Sequence, residues 1–348
     1  MLSVLIPCRN EVRFLARCLD SVLASDYPQE RMEVLVIDGA SSDGTGELIA
    51  RYAASDRRVR RIENPDLVTP CALNRGIAAA SGDVIARLDA HSSLAPDYLT
   101  LCVAHLLSSG ADNVGGAMRT VAQDDGLWAP VIVAALSHRF GVGNSHFRTG
   151  STRPRFVDTV FGGCWRREVF ARVGGFNPAL RRSQDMEFSL RLKAAGGRTL
   201  LVPDARCDYY ARTRLAAFCR HNFINGEWAI LPFVYSDVVP VRARHLIPGL
   251  FALLLIATVV MLPWSPWPLA AVGGSYLMAN LAVSASIAWR GRRPLAAVLL
   301  PVVFGALHLG YGLGSLWGVI LAAGEVRGRQ MNDLVRSSEE IPCIRRQY

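Results

Sequence analysis

Two long stretches without charged side chains near the C-terminus constrain this chain most. From Leu246 to Trp289 no residue is charged, and from Pro294 to Gly324 the only Asp, Glu, Lys, Arg or His is His308. A helix that spans a bilayer needs about 20 predominantly apolar residues. The first stretch is therefore long enough for two helices joined at PWSPWP (263–268), and the second for one long helix or a broken pair. We predict a membrane region of about three transmembrane helices over residues 246–323, followed by a polar tail at 324–348.

Arginines flank both apolar stretches. Arg242 and Arg244 precede the first stretch, and residues 290–293 between the two contain three arginines. Because basic flanks tend to stay in the cytoplasm, residues 246–289 are predicted to form a hairpin that keeps the preceding domain inside. The tail after residue 324 is also rich in arginine, which favours an inside position, whereas a single crossing by the last stretch would place it outside. Both topologies remain open at this point.

The distribution of charge and cysteine narrows the class of protein. The net charge of +9 comes almost wholly from arginine, and no basic–aromatic recognition pattern accompanies it, so nucleic acid is not an expected partner. Between Arg206 and Arg244, just before the first apolar stretch, the sequence has six arginines and only three acidic residues. This excess of positive charge suits an anionic lipid surface or a phosphorylated substrate. The eight cysteines have no C-x-x-C spacing and are expected to be reduced packing residues.

Residues 2–90 alternate short apolar runs with amphipathic segments. LSVLIP, MEVLVIDG, VRRIENP and GDVIARLDA predict strands, and segments such as EVRFLARCLDSVLAS place apolar residues at helical spacing. This order predicts an α/β domain with a mainly parallel, twisted sheet and right-handed crossovers. The first strand is followed by PCRNEVRF and not by G-x-G-x-x-G, which excludes a hydride-transferring dinucleotide enzyme.

Polar side chains end three of the predicted strands. Arg9 and Glu11 follow the first strand, Asp38 ends the second, and Asp89 and His91 follow the fourth. In open parallel sheets ligands bind beyond the carboxyl ends of the strands, so these residues predict one binding site. Asp89 and His91 are two residues apart and point the same way in an extended chain. Taken alone, ARLDAHSSL (86–94) is also typical of a strand end that faces water.

Four longer motifs resemble glycosyltransferase family 2 and stand in the order of that family. They are SVLIPCRNE, VLVIDGASSDGT, ALNRGIAAASGDVIARLDAH and GGCWRREVFARVGGFNPALRRSQDMEFSLRLKAAG, which cover most of residues 2–198. The resemblance implies a GT-A nucleotide-sugar-binding domain over residues 1–241, followed by the C-terminal transmembrane helices. Within the family the chain is most similar to the glucosyltransferases of succinoglycan biosynthesis, which also have C-terminal spans and carry DAH in place of D-x-D.

The resemblance implies a role for specific residues. Nucleotide contacts to a UDP-sugar fall on five of them: Pro7, Arg9, Glu11, Asp38 and Asp83. Asp89 and His91 would bind a divalent cation on the diphosphate, and Asp185 in RRSQDMEF would be the catalytic base. Asp43, by contrast, stands at a helix start and is interpreted as a cap.

The expected cofactor is Mn²⁺ or Mg²⁺. A divalent cation stabilises the negative charge that develops on a departing diphosphate. The carboxylate of Asp89 suits either ion, whereas the imidazole of His91 suits Mn²⁺ better. His91 is interpreted either as a direct ligand or as a neighbour that contacts phosphate.

Asp185 has two interpretations. An inverting sugar transfer needs one base to take the proton of the acceptor hydroxyl. Asp185 and Glu187 also fit the acidic first turn of a helix, where such residues are usually structural. The order of the motifs favours the catalytic role, although Gln184 replaces the glutamate that is usual in the family before this aspartate.

The segment 218–241 is predicted to be amphipathic and to lie at the membrane interface. Processive polysaccharide synthases carry Q-x-x-R-W here, whereas this chain has Ile224 and Glu227 in place of the glutamine and arginine. A processive synthase is therefore disfavoured. Trp228 is interpreted as an interfacial anchor or as part of the acceptor-site wall.

Together these features predict a membrane-bound, inverting glycosyltransferase of a bacterial-type cytoplasmic membrane, with its catalytic domain in the cytoplasm. By resemblance, it transfers glucose in a β-linkage from a UDP-sugar to a polyprenyl-diphosphate-linked oligosaccharide during synthesis of a succinoglycan-like exopolysaccharide. Transfer to polyprenyl phosphate itself and a catalytically inactive, nucleotide-sugar-binding membrane subunit are the alternatives. A transporter is disfavoured because the apolar part lacks buried charges and paired repeats.

Overall fold

The computed structural model of the protein describes residues 1–236, 238 and 241–333. Their contacts define two compact units, each assembled from separate pieces of the chain. The first comprises Met1–Arg119 and His146–Tyr210, and the second comprises Thr120–Ser145 together with the described residues from Ala211 onward. The predicted polar tail lies largely outside the described residues.

The first unit contains the strands and most of the short helices. Its strands are β1 (Leu2–Cys8), β2 (Met32–Asp38), β3 (Val59–Glu63), β4 (Val84–Arg87), β5 (Ser92–Leu94), β6 (Asn113–Ala122), β7 (Arg155–Val157), β8 (Cys164–Arg166) and β9 (Thr199–Ala211), of which β6 and β9 run on into the second unit. Its helices are α1 (Val12–Leu23), α2 (Thr45–Ser55), α3 (Thr69–Ala79), α4 (Tyr98–Ser108), α7 (His146–Thr149), α8 (Glu168–Val173) and α9 (Gln184–Ala194), together with a 3₁₀ turn at Gln29–Arg31. The helices α5 and α6 between them in sequence belong to the second unit.

The strands form one mixed sheet in the order β3-β2-β1-β4-β8-β6-β9-β5, with β7 paired to β9. The pairs β3–β2, β2–β1 and β1–β4 are parallel, and β8 is antiparallel to β4. The predicted parallel α/β arrangement of residues 2–87 is confirmed. Consequently β1, β2 and β4 point their carboxyl ends to the same edge of the sheet.

The parallel strands β1, β2 and β4 are buried on both faces, and successive side chains of β1 and β2 pack into different cores. Along β1, Val4 and Ile6 belong to one apolar cluster and Leu5 to another. β2 divides in the same way, with Val34 in the first cluster and Leu35 in the second. Alternation with a period of two explains why these strands read as continuous apolar runs.

The second unit is helical. Its helices are α5 (Ala129–Leu136), α6 (Arg139–Val142), α10 (Leu215–Ile230), α11 (Pro232–Tyr235), α12 (Ile247–Val260), α13 (Trp267–Arg290) and α14 (Ala296–Asp333), and a 3₁₀ turn at Ala243–His245 precedes α12. Among the described residues, three segments are long and apolar enough to cross a membrane: Ala243–Val260, Trp267–Arg290 and Ala296–Val326. The turn expected at PWSPWP separates α12 from α13, and the last apolar stretch is one continuous helix.

Glycines let α10 pack closely along α14. Gly310, Gly314 and Gly318 are spaced by four residues on α14, so they line one face of the helix. A Cβ on Gly314 would overlap the carbonyl oxygen of Phe223, and one on Gly318 would lie 2.7 Å from that of Glu227. This small-residue face is the kind that allows two helix backbones to approach in a membrane.

Candidate active site

The carboxyl end of β2 is organised by Asp38. Its carboxylate is buried; one oxygen accepts hydrogen bonds from the amide and hydroxyl of Ser41 at 3.1 and 2.6 Å, and the other accepts one from Arg61 at 2.8 Å. Asp38 therefore shapes the loop between β2 and α2. In this arrangement both of its oxygens are already engaged, and its predicted contact with the ribose stays a prediction.

Glu11 lies beside the predicted cation site. Glu11 precedes α1, and its carboxylate is 3.1 Å from Nδ1 of His91. The ring of His91 also meets the ring of Tyr209 edge-on, with 5.1 Å between centroids. When Glu11 accepts a hydrogen bond from Nδ1–H of His91, it favours the imidazole tautomer that carries its lone pair on Nε2.

One arginine brings the two key acids together. Arg87, the last residue of β4, has a side chain that is only 5% exposed. Its Nη2 donates to Asp89 at 2.9 Å, and its Nη1 contacts Asp185. Asp89 and Asp185 are far apart in sequence but lie on either side of one guanidinium. Arg87 was not among the residues predicted for the site.

The charge of Asp89 is maintained by its neighbours. Burial by itself raises the pKa of this carboxyl, but the Arg87 guanidinium and then His91 lower it, and the net effect holds the pKa of Asp89 below its ordinary value. Asp89 is therefore ionised at neutral pH, as a cation ligand must be.

Asp185 is positioned by the start of α9. Ser183 adopts a left-handed conformation with φ of 61°, and the helix begins at the next residue. One turn further on, Phe188 is buried against Trp165, Phe170 and Phe176, which fixes the helix against the sheet. The side chain of Asp185 is 44% exposed, so the carboxylate is accessible to a substrate hydroxyl.

The loop that precedes α9 is held by a side chain from α3. The amide group of Asn74 donates to the carbonyl of Phe176 and accepts from its N–H, both at 2.8 Å. This pair of bonds ties the GGFNPAL motif to the ALNRG motif, which lies about 100 residues earlier in the chain. The two motifs thus act together in placing the helix that carries Asp185.

Asp83 does not belong to the predicted nucleotide wall. It precedes β4, is 88% exposed, and pairs with the amino group of Met1 at 3.0 Å. It therefore lies at the amino edge of the parallel strands, roughly 20 Å of extended chain from Asp89. The prediction for Asp83 is wrong because a whole strand separates it from the binding edge.

Asp43 lies at the start of α2, as expected, but the N-cap residue of this helix is Gly44. Its carboxylate accepts from the amide and hydroxyl of Thr45, at 3.1 and 2.5 Å, and from the amide of Val12 at 3.2 Å. It ties the start of α2 to the start of α1. These bonds lower the pKa of Asp43 despite the opposing effect of burial.

The remaining predicted site residues lie in two places. Pro7 is the penultimate residue of β1, and Arg9 follows that strand with an exposed side chain. Both are at the carboxyl edge of the sheet, as the sequence predicts. Trp228 lies on α10 in the second unit, and its interpretation as an anchor or acceptor wall stays a prediction.

The possible metal ligands at the carboxyl edge of the sheet fit a divalent cation that is held partly by a substrate. Within the described residues, no group of three or more His, Cys, Asp or Glu side chains could enclose a metal ion. Asp89 and His91 supply one carboxylate and one imidazole. Ions such as Mg²⁺ commonly bind through one or two protein groups plus substrate phosphates and water, and this pair suits that arrangement.

The parallel sheet with polar strand ends, continued by antiparallel strands and followed by apolar helices, defines a glycosyltransferase of the GT-A type. Residues 3–174 match the model of the family described as "Glycosyl transferase family 2". This match confirms the resemblance to glycosyltransferase family 2 seen in the motifs.

Two relatives differ in how much of this chain they match. The chain is 29% identical over 331 residues to "Succinoglycan biosynthesis protein ExoA" of Rhizobium meliloti, covering 91% of this chain and 94% of that protein. It is 30% identical over 195 residues to "Glycosyltransferase AglE" of Haloferax volcanii, covering 56% of this chain and 62% of the relative. The expected similarity to proteins of succinoglycan biosynthesis is thus confirmed along nearly the whole chain.

A solved structure shares the fold. The mannosyltransferase PcManGT from Pyrobaculum calidifontis, in complex with GDP-Man and Mn²⁺, superposes with a TM-score of 0.56 and 21% identity, covering 91% of this chain and 87% of that one. This likeness confirms the predicted GT-A fold.

Proposed function

We propose that the protein is an inverting glycosyltransferase of exopolysaccharide synthesis, which acts at the membrane. It transfers a sugar, glucose by resemblance, from a UDP-sugar to a polyprenyl-diphosphate-linked oligosaccharide and forms a β-linkage. The similarity to a succinoglycan biosynthesis protein along nearly the whole chain supports the pathway class. The three apolar helices suit a lipid-linked acceptor and a catalytic part at the cytoplasmic face of a bacterial inner membrane.

The observation that carries this proposal is the bridge from Asp89 through Arg87 to Asp185. An inverting transfer needs two functions close together: charge stabilisation at the departing diphosphate and a base at the acceptor hydroxyl. Asp89 serves the first function and Asp185 the second. Both carboxylates contact the same buried guanidinium, so only one side chain separates the two functions.

The residues act as follows in the proposed reaction. Asp89 and His91 would hold Mn²⁺ or Mg²⁺, which would supply positive charge to stabilise the leaving UDP. Asp185 accepts the proton of the acceptor hydroxyl while that oxygen bonds to the anomeric carbon and UDP departs from the opposite face. Glu11 orients His91, and Arg87 keeps Asp185 beside the metal-binding pair.

The test is UDP release by the detergent-purified full chain. Several UDP-sugars are compared with membrane lipid extract or polyprenyl phosphate as acceptor, in the presence of Mg²⁺, Mn²⁺ or a chelator. We expect metal-dependent release from one donor, and a loss of 10²-fold or more in kcat for both Asp89→Ala and Asp185→Asn, on the order of the contribution of a positioned base.

The controls separate the alternatives. Asp83→Asn, at the opposite edge of the sheet, should retain full activity. Release with polyprenyl phosphate but not with the lipid extract would assign the simpler acceptor. A folded protein that binds UDP but releases none from any donor would favour the inactive binding subunit and contradict the proposal.

A further inference from the structure

Arg148 carries a buried donor that nothing in the described chain satisfies. It lies in the short helix α7, and its Nη1 is shielded from solvent without a hydrogen-bond acceptor among the described residues. Buried polar atoms in proteins nearly always have a partner. An arginine stays protonated, and its planar fork of donors matches carboxylate or phosphate oxygens.

The ring of Tyr209 links the guanidinium of Arg148 to His91 of the predicted cation site. The guanidinium stacks over this ring, with 5.5 Å from Cζ to the ring centroid. The same ring meets the imidazole of His91, and Tyr209 itself pairs with Ser92 across β9 and β5. A single aromatic ring therefore contacts both Arg148 and His91.

The charges nearby show which kind of group would satisfy Arg148. The guanidinium of Arg87 is already paired with Asp89 and Asp185, whereas within the described residues no acidic side chain forms a salt bridge with Arg148. Burial lowers the pKa of Arg148, because the charged form is costly to desolvate without an anion. An anionic ligand that enters beside His91 would supply the missing charge and acceptor.

We propose that Arg148 is a diphosphate-binding residue, which donates from Nη1 to the donor sugar's diphosphate while Tyr209 supports its guanidinium. The inference rests on the proposed function, since it takes a UDP-sugar to be the ligand at Asp89 and His91. It adds a fixed positive charge to the site. That charge favours UDP binding, and it stabilises the leaving group as negative charge builds on its oxygens.

The experiment compares the affinity of the full chain for UDP and for uridine, by calorimetry in detergent with Mn²⁺. The variants are Arg148→Met, which retains the apolar stem, and Arg148→Lys, which retains the charge without the fork. Arg153→Met, an exposed arginine a few residues later, is the matched control. A hydrogen bond between charged groups is worth about 1.5–3 kcal/mol, so we expect Arg148→Met to weaken UDP binding about 10- to 100-fold.

Uridine separates a phosphate contact from a structural effect. We expect its affinity to stay within about twofold in every variant, and Arg148→Lys to lie between wild type and Arg148→Met for UDP. Unchanged UDP affinity in Arg148→Met, or an equal loss for UDP and uridine, would overturn this inference and leave the proposed function standing. A folded wild-type protein that binds no UDP would overturn both.

Discussion

The replacement Arg87→Met tests how the candidate site is built. The buried guanidinium contacts Asp89 and Asp185, so its removal releases both carboxylates at once. Methionine replaces the apolar stem of the arginine, but it carries no charge and no hydrogen-bond donor. We expect metal affinity and turnover to change in opposite directions.

The magnitudes follow from the contacts. A charge-assisted hydrogen bond such as the 2.9 Å bond from Arg87 to Asp89 is worth about 1.5–3 kcal/mol. Asp89 is 23% exposed, so water compensates part of the loss, and the lower end of the range applies. Freeing Asp89 from this competitor should tighten Mn²⁺ binding about tenfold at pH 7.5. Asp185 loses its fixed position, and we expect kcat to fall at least about tenfold.

The pH dependence gives the prediction a second signature. In the wild type Arg87 holds the pKa of Asp89 below its ordinary value, so protons compete with the metal only at a pH below that ordinary value. Burial alone raises that pKa, so in Arg87→Met the proton should begin to compete at higher pH. Metal affinity should therefore be tighter than wild type at pH 7.5, and on acidification it should begin to fall at a higher pH than in the wild type.

The assay is Mn²⁺ titration with UDP present, combined with UDP release under saturating metal. The control is Arg75→Met, which removes the surface pair with Asp66 and should change neither quantity. Weaker Mn²⁺ binding in Arg87→Met at pH 7.5, in step with lost turnover, would refute the reasoning. In that case Arg87 would support the metal site and would not compete for Asp89.

Two further changes have expected outcomes. Glu11→Gln removes the carboxylate that lies 3.1 Å from Nδ1 of His91. Loss of such an orienting partner typically costs 10- to 100-fold in metal affinity, which Mn²⁺ titration measures. Unchanged Mn²⁺ affinity would exclude His91 as an oriented ligand. Gly314→Val should lower the thermal unfolding temperature in detergent, because its Cβ would overlap the carbonyl of Phe223. Gly305→Val is the matched control, since nothing lies within 4 Å of its added Cβ, and equal destabilisation by both would count against close packing of α10 on α14.

The parallel half of the fold was predictable because its signals are local. The strands β1, β2 and β4 are short apolar runs, and helices of the right period stand between them. A single rule, that ligands meet the carboxyl ends of parallel strands, then placed Glu11, Asp38, Asp89 and His91 at one edge. The same rule, applied to the start of β4, would have placed Asp83 at the other edge.

Arg87 was recognisable in principle. Arg87, Asp89 and His91 are each two residues apart, so an extended chain would place them on one side. An arginine inside an apolar strand is rarely buried without a partner. The sequence did not show that Asp185 contacts Arg87, because the two residues are 98 positions apart and meet only in the folded protein.

Local sequence patterns predict the boundary between the catalytic and membrane parts least well. The sequence predicts a domain over residues 1–241, yet Thr120–Ser145 groups with the apolar helices. In this segment Val131 and Ile132 of α5 are buried in the same cluster as Leu300 and Phe304 of α14. An eight-residue apolar helix is too short to span a bilayer and looks like an ordinary core helix, and its partner is more than 160 residues distant. The apolar helices therefore complete the packing of a segment that lies inside the catalytic sequence. A cut at residue 241 would leave the apolar face of α5 uncovered, so the C-terminal region is not a separable anchor.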